Sequence, residues 1–262
     1  MLGLRKAPSA LVWLLVGACG ATASLQAQFT EVPTTVPIGT WQIEADIGSV
    51  SWDTRTLQRD GVSERVWSVA STLLSTGVGS RVDVQVGYEP YLRYSYTGPS
   101  GKEVYQGRGD TYLRGKWNFV GDETQNLALA VLPYLKLPTN RNGFGNGRVQ
   151  GGLIVPFGMP VGERTSVSAM CSVDWVDDGT GHSDILACAS GVFSCSVGQC
   201  WGVYGEAGAV VNTAHTGSWS GVVGIGVTWA QSEKLSWDLA GYTALTRAAP
   251  DCMAALRIVW IW

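Results

Sequence analysis

A chain of 262 residues in which charged residues make up only 15%, against about 25% in a typical soluble domain, lacks the surface charge of an ordinary water-soluble fold. Its 34 glycines oppose helix formation, and past the N-terminal region no run of 18 uninterrupted apolar residues occurs, so a membrane-spanning helix is not expected. The formal net charge of −3 excludes a strongly basic surface of the kind that binds nucleic acid.

Residues 1–23 read as a signal peptide: Arg5 and Lys6 precede the apolar stretch ALVWLLVGACG, and ATAS offers a cleavage site after Ala23. A second cut stays open, because VGAC (Val16 to Cys19) resembles a lipoprotein box that would leave an acylated Cys19. Residues 24–39 are then expected as an N-terminal periplasmic segment, and residues 40–262 as one domain. Without residues 1–23 the chain keeps 16 basic and 21 acidic residues and five cysteines: Cys171, Cys188, Cys195, Cys200 and Cys252. Cys195 and Cys200 flank the short link SVGQ, which makes them a candidate disulfide across a hairpin, although spacing alone does not establish the pairing.

Period-two alternation predicts twelve strands near 40–51, 63–75, 81–97, 106–119, 125–136, 148–156, 164–175, 183–195, 200–212, 217–230, 234–246 and 252–262. Links after odd-numbered strands are long and polar, as in TGPSGKEVYQG and TNRNGFGNGR, and those after even-numbered strands are tight, as in TGVGS and SVGQ. An all-β, transmembrane, antiparallel up-and-down barrel of about 12 strands, with short periplasmic turns and longer outer loops, has this asymmetry. The tryptophans agree. Trp41, Trp117, Trp201, Trp229, Trp237, Trp260 and Trp262 fall near periplasmic strand ends, and Trp52, Trp67, Trp175 and Trp219 near outer ends, as headgroup-level girdles require.

Alternation also assigns faces. In SRVDVQVGYEPYLRYSY the even positions from Val82 to Tyr96 read as lipid-facing and the odd ones as lumen-facing, whereas 63–75 can be read in either register. Pro133 interrupts its strand, where a bulge is expected. Parity sends Glu44, Asp46, Asp83, Glu89, Asp110, Asp174, Glu206 and Asp238 into the lumen, with Arg81, Arg93, Arg114, Lys116, Lys136 and Arg257. Eight acids and six bases can line an aqueous channel or pair across a narrow interior. Twelve strands fall between the barrels of about 8 that side chains fill and those of 16–18 that leave a channel, so both outcomes stay open. At the C-terminus Leu256, Ile258, Trp260 and Trp262 share the lipid-facing parity. They form the expected assembly signal for the barrel-assembly machinery.

The stretch GRGDTYLRGKWNF, followed by LALAVLPYLKLPT, resembles a family of outer-membrane transporters named for the meta-pathway of phenol degradation. Gly109, Asp110, Leu137, Pro138 and Thr139 match its pattern, Asn140 stands where a glycine is common, and the likeness extends over about residues 105–160. The resemblance implies an outer-membrane barrel. It supplies no catalytic residue, and its link to aromatic compounds is carried by the name.

The reading that follows is a bacterial outer-membrane channel for passive passage of small molecules, hydrophobic or aromatic ones among them. Its partners would be outer-membrane lipids and the solute. No cofactor, metal or nucleic acid is implied, and oligomeric state is left open. A structural or adhesive barrel without an open pore and a lipid-modifying hydrolase are the alternatives. His182 and His215, both in outer loops, are the only histidines such a hydrolase could use as a base, and neither has metal-ligand spacing. RGD at Arg108 to Asp110 is explained by strand alternation, and GFGNG reads as a flexible outer loop.

Overall fold

The computed structural model describes residues 29–54, 62–121, 127–140, 144, 147–177, 182–213 and 219–262. The expected signal peptide, Cys19 and His215 lie outside them. Fifteen strand segments form one antiparallel sheet: β1 (Trp41–Asp53), β2 (Ser63–Val69), β3 (Ser71–Gly79), β4 (Val82–Tyr88), β5 (Tyr91–Gly98), β6 (Gly101–Gly107), β7 (Thr111–Val120), β8 (Ala128–Leu137), β9 (Gln150–Pro160), β10 (Thr165–Asp177), β11 (Ser183–Val197), β12 (Trp201–Asn212), β13 (Trp219–Ala230), β14 (Leu235–Ala244) and β15 (Cys252–Ile261). β2 with β3, β4 with β5, and β6 with β7 are halves of single strands, and β15 pairs with β1, so twelve strands close into a barrel. Closure is forced physically, since an open edge in hydrocarbon leaves backbone N–H and C=O groups unpaired at several kcal/mol each.

From β9 to β14 the alternation is regular. Exposed Val173, Trp175, Phe193, Val203, Ile225 and Leu239 face outward, while Ser172, Asp174, Tyr204, Glu206 and Asp238 are buried inside. The other wall is not regular. A line of breaks crosses four neighbouring strands: a register shift between Asp46 and Gly48 in β1, Ala70 with φ of 59°, Glu89–Pro90, and Arg108–Asp110. The pairing partners continue in step across the line, β3 with β4 below and β2 with β5 above, but the inward parity changes. Below it Leu73, Ser75, Asp83 and Gln85 point inward; above it Val66, Ser68, Leu92 and Tyr94 do. One extra residue in a strand swaps every later side chain to the other face.

Two sequence expectations change here. Pro133 causes no bulge: the β7–β8 register is unchanged from Arg114↔Tyr134 to Trp117↔Val131, and only the pairs between them, opposite a residue with no N–H, are missing from the ladder. GKEVYQG is not loop but β6, which pairs with β5 as a hairpin turning at Pro99–Ser100. Its residues Gly101 to Gln106 are all exposed, so one-sided burial never imposed the alternation by which strands are recognised.

The last residue helps close the seam. Trp41 N–H donates to the Trp262 carbonyl and Trp262 N–H to that of Trp41, each at 3.0 Å, while the Trp260 and Trp262 rings lie exposed, 4.9 Å apart. Deleting Trp262 removes both bonds and an interfacial ring. A several-fold lower yield of heat-modifiable, membrane-inserted barrel is expected, and wild-type yield would refute this.

Candidate functional site

The lumen below the line of breaks is densely charged. Twelve of the fourteen residues expected to line the interior face it: Glu44, Asp46, Asp83, Glu89, Asp110, Arg114, Lys116, Asp174, Glu206, Asp238 and Arg257 are buried, and the Lys136 side chain is only 14% exposed. Arg81 and Arg93 do not face it. Arg81 occupies the exposed turn before β4, and Arg93 lies above the Glu89–Pro90 break, where parity is reversed and it points outward between buried Leu92 and Tyr94. Among these twelve, acids outnumber bases eight to four, a more acidic set than the eight and six expected.

The bases are committed to particular partners. Arg257 Nε bonds Asp46 Oδ1 at 2.7 Å across the β1–β15 seam, and Lys136 stands 3.5 Å from Asp110. Arg114 and Lys116 meet an acid that strand alternation could not reveal, Glu31. Glu31 belongs to residues 29–38, expected on the periplasmic side but placed by the structure inside the barrel.

This segment crosses the lumen. Val36 N–H donates to Asp83 on β4 at 3.0 Å; the Pro33 and Thr34 carbonyls accept from Asn118 at 2.9 Å and Lys116 at 3.2 Å on β7; Glu31 is fully buried between Arg114 and Lys116. At its other end Thr30 N–H donates to Glu206 on β12 at 2.6 Å, and its hydroxyl lies 2.8 Å from that of Ser190. β4 and β12 stand six strands apart in a ring of twelve, so the segment spans a diameter. Phe29 completes the crossing with its ring edge-on to Tyr242 at 4.4 Å. The wall makes room for it: a methyl group at Gly77 would overlap the Val36 carbonyl, and Ile38 forms a bridge with Gly77. Burial raises the pKa of Glu31, but Arg114 and Lys116 outweigh that and hold its carboxyl below the ordinary 4.5.

Tyrosines answer the acids on the far wall. Tyr134 donates to Asp174 at 2.7 Å, Tyr204 to Asp238 at 2.9 Å and Tyr242 to Glu206 at 2.5 Å. Tyr112, Glu44, Glu89, Arg114 and Arg257 help line a cavity of about 50 Å³, room for about four waters. Towards the outer mouth apolar clusters join the lining. Val66, Leu92, Tyr94 and Phe144 form one buried cluster, and Val176, Leu186 and Val210 another across the lumen. Phe144, from the loop read as flexible, is thus packed into the mouth.

The two halves of the family motif are neighbours in space. Asp110 accepts from the Asn140 backbone N–H at 3.0 Å and its Nδ2 at 2.6 Å, and the hydroxyls of Thr111 and Thr139 lie 2.8 Å apart. A side chain at Gly109 would overlap the Glu89 carboxylate. The motif ties the outer end of β8 to the line of breaks.

The expected disulfide is absent: Cys171, Cys188, Cys195, Cys200 and Cys252 are all free thiols. Cys195 pairs in register with Val203, whereas Cys200 lies in the turn before Trp201, so the hairpin does not set them opposite each other. His182 is exposed just before β11, and no group of His, Cys, Asp and Glu able to hold a metal occurs among the described residues.

A closed twelve-stranded barrel with aromatic rims and a polar interior defines an outer-membrane β-barrel protein of the bacterial cell. The chain belongs to the family described as "Putative MetA-pathway of phenol degradation", whose model matches residues 26–261. Among solved structures, an outer membrane channel from Pseudomonas putida F1 superposes with a TM-score of 0.64 at 15% identity, over 88% of this chain and 98% of that one. The KdgM porin in complex with disordered oligogalacturonate gives 0.53 at 6% identity, over 84% and 98%. The translocator domain of the autotransporter NalP from Neisseria meningitidis gives 0.52 at 9% identity, over 84% and 87%. No curated protein matches the chain in sequence.

Proposed function

We propose that this protein is a passive channel for small solutes, closed by its own N-terminal segment and favouring cations and neutral molecules with an apolar body over anions. The acidic excess in the lumen carries this reading: with Glu31, the predicted lining brings nine acids against four bases, more negative charge than pairing needs, and carboxylates lining a pore are how cation pathways are built. The apolar mouth supports passage of hydrophobic or aromatic molecules, as does the family's description. The similar fold of an outer membrane channel and a porin is consistent with diffusion.

Reversal potentials in a salt gradient across a planar bilayer test the charge preference. The expected result is a cation-to-anion permeability ratio well above one, lowered by Asp110→Asn. Arg93→Gln should leave it unchanged, because Arg93 is outside the lumen. Anion selectivity would refute the proposal. A folded barrel with residues 29–38 removed and no solute flux in liposomes would return the protein to a structural or adhesive role.

A further inference from the structure

The parity change above the breaks builds a surface that strand alternation alone would not place there. β1, β2, β5 and β6 form an outer panel whose outward face is set by register: Val69 beside Tyr91; Val50, Trp67, Arg93 and Gln106 in the next row; then Trp52, Arg65, Ser95 and Val104; then Ser63, Thr97 and Lys102. Every acid of the panel, Asp53, Glu64 and Glu103, has the opposite parity, with Glu64 and Glu103 flanking Tyr96 on the other face. The outward face is therefore purely cationic. Arg65, Arg93 and Lys102 are exposed, and the ion pairs among the described residues involve none of them.

Their height matters as much as their charge. Trp67 and Tyr91, 42% and 39% exposed, belong to the outer aromatic girdle with Trp175 and Trp219, which marks the boundary of the hydrocarbon. Arg93 stands level with Trp67, and Arg65 is one row further out, about 7 Å along the strands. The two are diagonal neighbours on one face, about 7–8 Å apart at their Cα atoms. Guanidinium groups held at girdle height, Arg93 in the row of Trp67 and Arg65 in that of Trp52, on paired strands and without acidic competitors, suit phosphate oxygens fixed at the membrane surface, which they can bind in bidentate fashion.

From this geometry we infer that the outer panel is a docking site for the phosphorylated glycolipid of the outer leaflet, with Arg65 and Arg93 clamping its headgroup phosphates, Lys102 adding charge above, and Trp67 and Tyr91 packing against its acyl chains. Charge complementarity selects this occupant: the face is basic, it lies at headgroup depth, and the outer leaflet presents a dense array of phosphates there. The site is independent of the lumen, so the channel proposal can fail without it.

The purified full chain in detergent micelles, titrated with bisphosphorylated lipid A, tests the inference. Arg65→Gln with Arg93→Gln should weaken binding about a hundredfold, roughly tenfold for each charge-assisted hydrogen-bonding group removed. Lipid A stripped of its phosphates should bind the wild type as weakly as bisphosphorylated lipid A binds the double variant. Inorganic phosphate alone should not bind at millimolar concentration, since it has no acyl chains to pack against Trp67 and Tyr91. Heat-modifiable migration and unchanged conductance would show that the double variant is folded. Equal affinity of the folded double variant and the wild type, or affinity indifferent to the lipid's phosphates, would overturn the assignment.

Discussion

Glu31→Lys is expected to turn a mostly closed barrel into a conducting one. Glu31 is fully buried between Arg114 and Lys116 and is the acid that neutralises them in the middle of the lumen. A lysine there opposes two buried cations, and disrupting a buried ion pair in this way costs about 3–5 kcal/mol. Since each 1.4 kcal/mol is tenfold, the equilibrium for release of residues 29–38 should move by roughly two to three and a half orders of magnitude. Single-channel recordings should show long open periods in place of brief ones. A disulfide supplies the converse experiment: the Thr30 and Ser190 hydroxyls are 2.8 Å apart, so Thr30→Cys with Ser190→Cys places two sulfurs within bonding reach. Combined with Glu31→Lys, the oxidised form should stay closed and open on reduction. Acid should act like the lysine. Because the folded pKa of Glu31 is held below 4.5, its contribution is complete above that value and is lost as pH falls through the lower one. Conductance of the wild type should therefore rise below about pH 4.5, and that of Glu31→Gln should be raised already at neutral pH. Unchanged conductance in Glu31→Lys, with the barrel intact, would show that residues 29–38 are no barrier.

The architecture was legible because one face in hydrocarbon and one in a polar interior leave a period-two record wherever a strand is regular. From β9 to β14 that record is clean, and the strands and their faces follow from it. It fails where the chain adds a residue. The segment 63–75 supports two registers because it has two: Val66 and Ser68 point inward before Ala70, Leu73 and Ser75 after it. In 81–97 a single parity was extended through Glu89–Pro90, and Arg93 was sent to the wrong face. Pro90 carries the signal, a residue with no N–H inside a strand, but Pro133 carries the same signal without a bulge, so composition does not separate them. Residues 29–38 were illegible for another reason. FTEVPTTVP has no alternation, because a segment held by its backbone polar groups across a lumen has no face to repeat. Its one charged residue, Glu31, acquires meaning only when Arg114 and Lys116 are known to be buried beside it. A parity argument confined to charged residues passes over the tyrosines that answer Asp174, Asp238 and Glu206, yet it is their hydroxyls that bond these buried carboxylates.

The closing seam should be the most sensitive point for stability. Arg257 lies in register with Asp46 on β1 and with Asp238 on β14, its side chain 3% exposed and bonded to Asp46 at 2.7 Å. It thus stands at the junction of the first strand with the last, next to the Asp46–Gly48 shift that accommodates the extra residue of β1. Arg257→Met keeps the length and the apolar stem but leaves buried carboxylates facing one another, so unfolding free energy in urea should fall by about 3–5 kcal/mol. The cost lies in the stranded charge rather than in the attraction that disappears. Asp46→Asn added to Arg257→Met should accordingly restore a substantial part, and the double variant should be more stable than the sum of its single changes by about 1–3 kcal/mol. Trp fluorescence during urea unfolding from lipid vesicles measures each value. Additive effects, or a decrease under about 1 kcal/mol for Arg257→Met, would mean that the backbone ladder holds the seam and the ion pair is incidental.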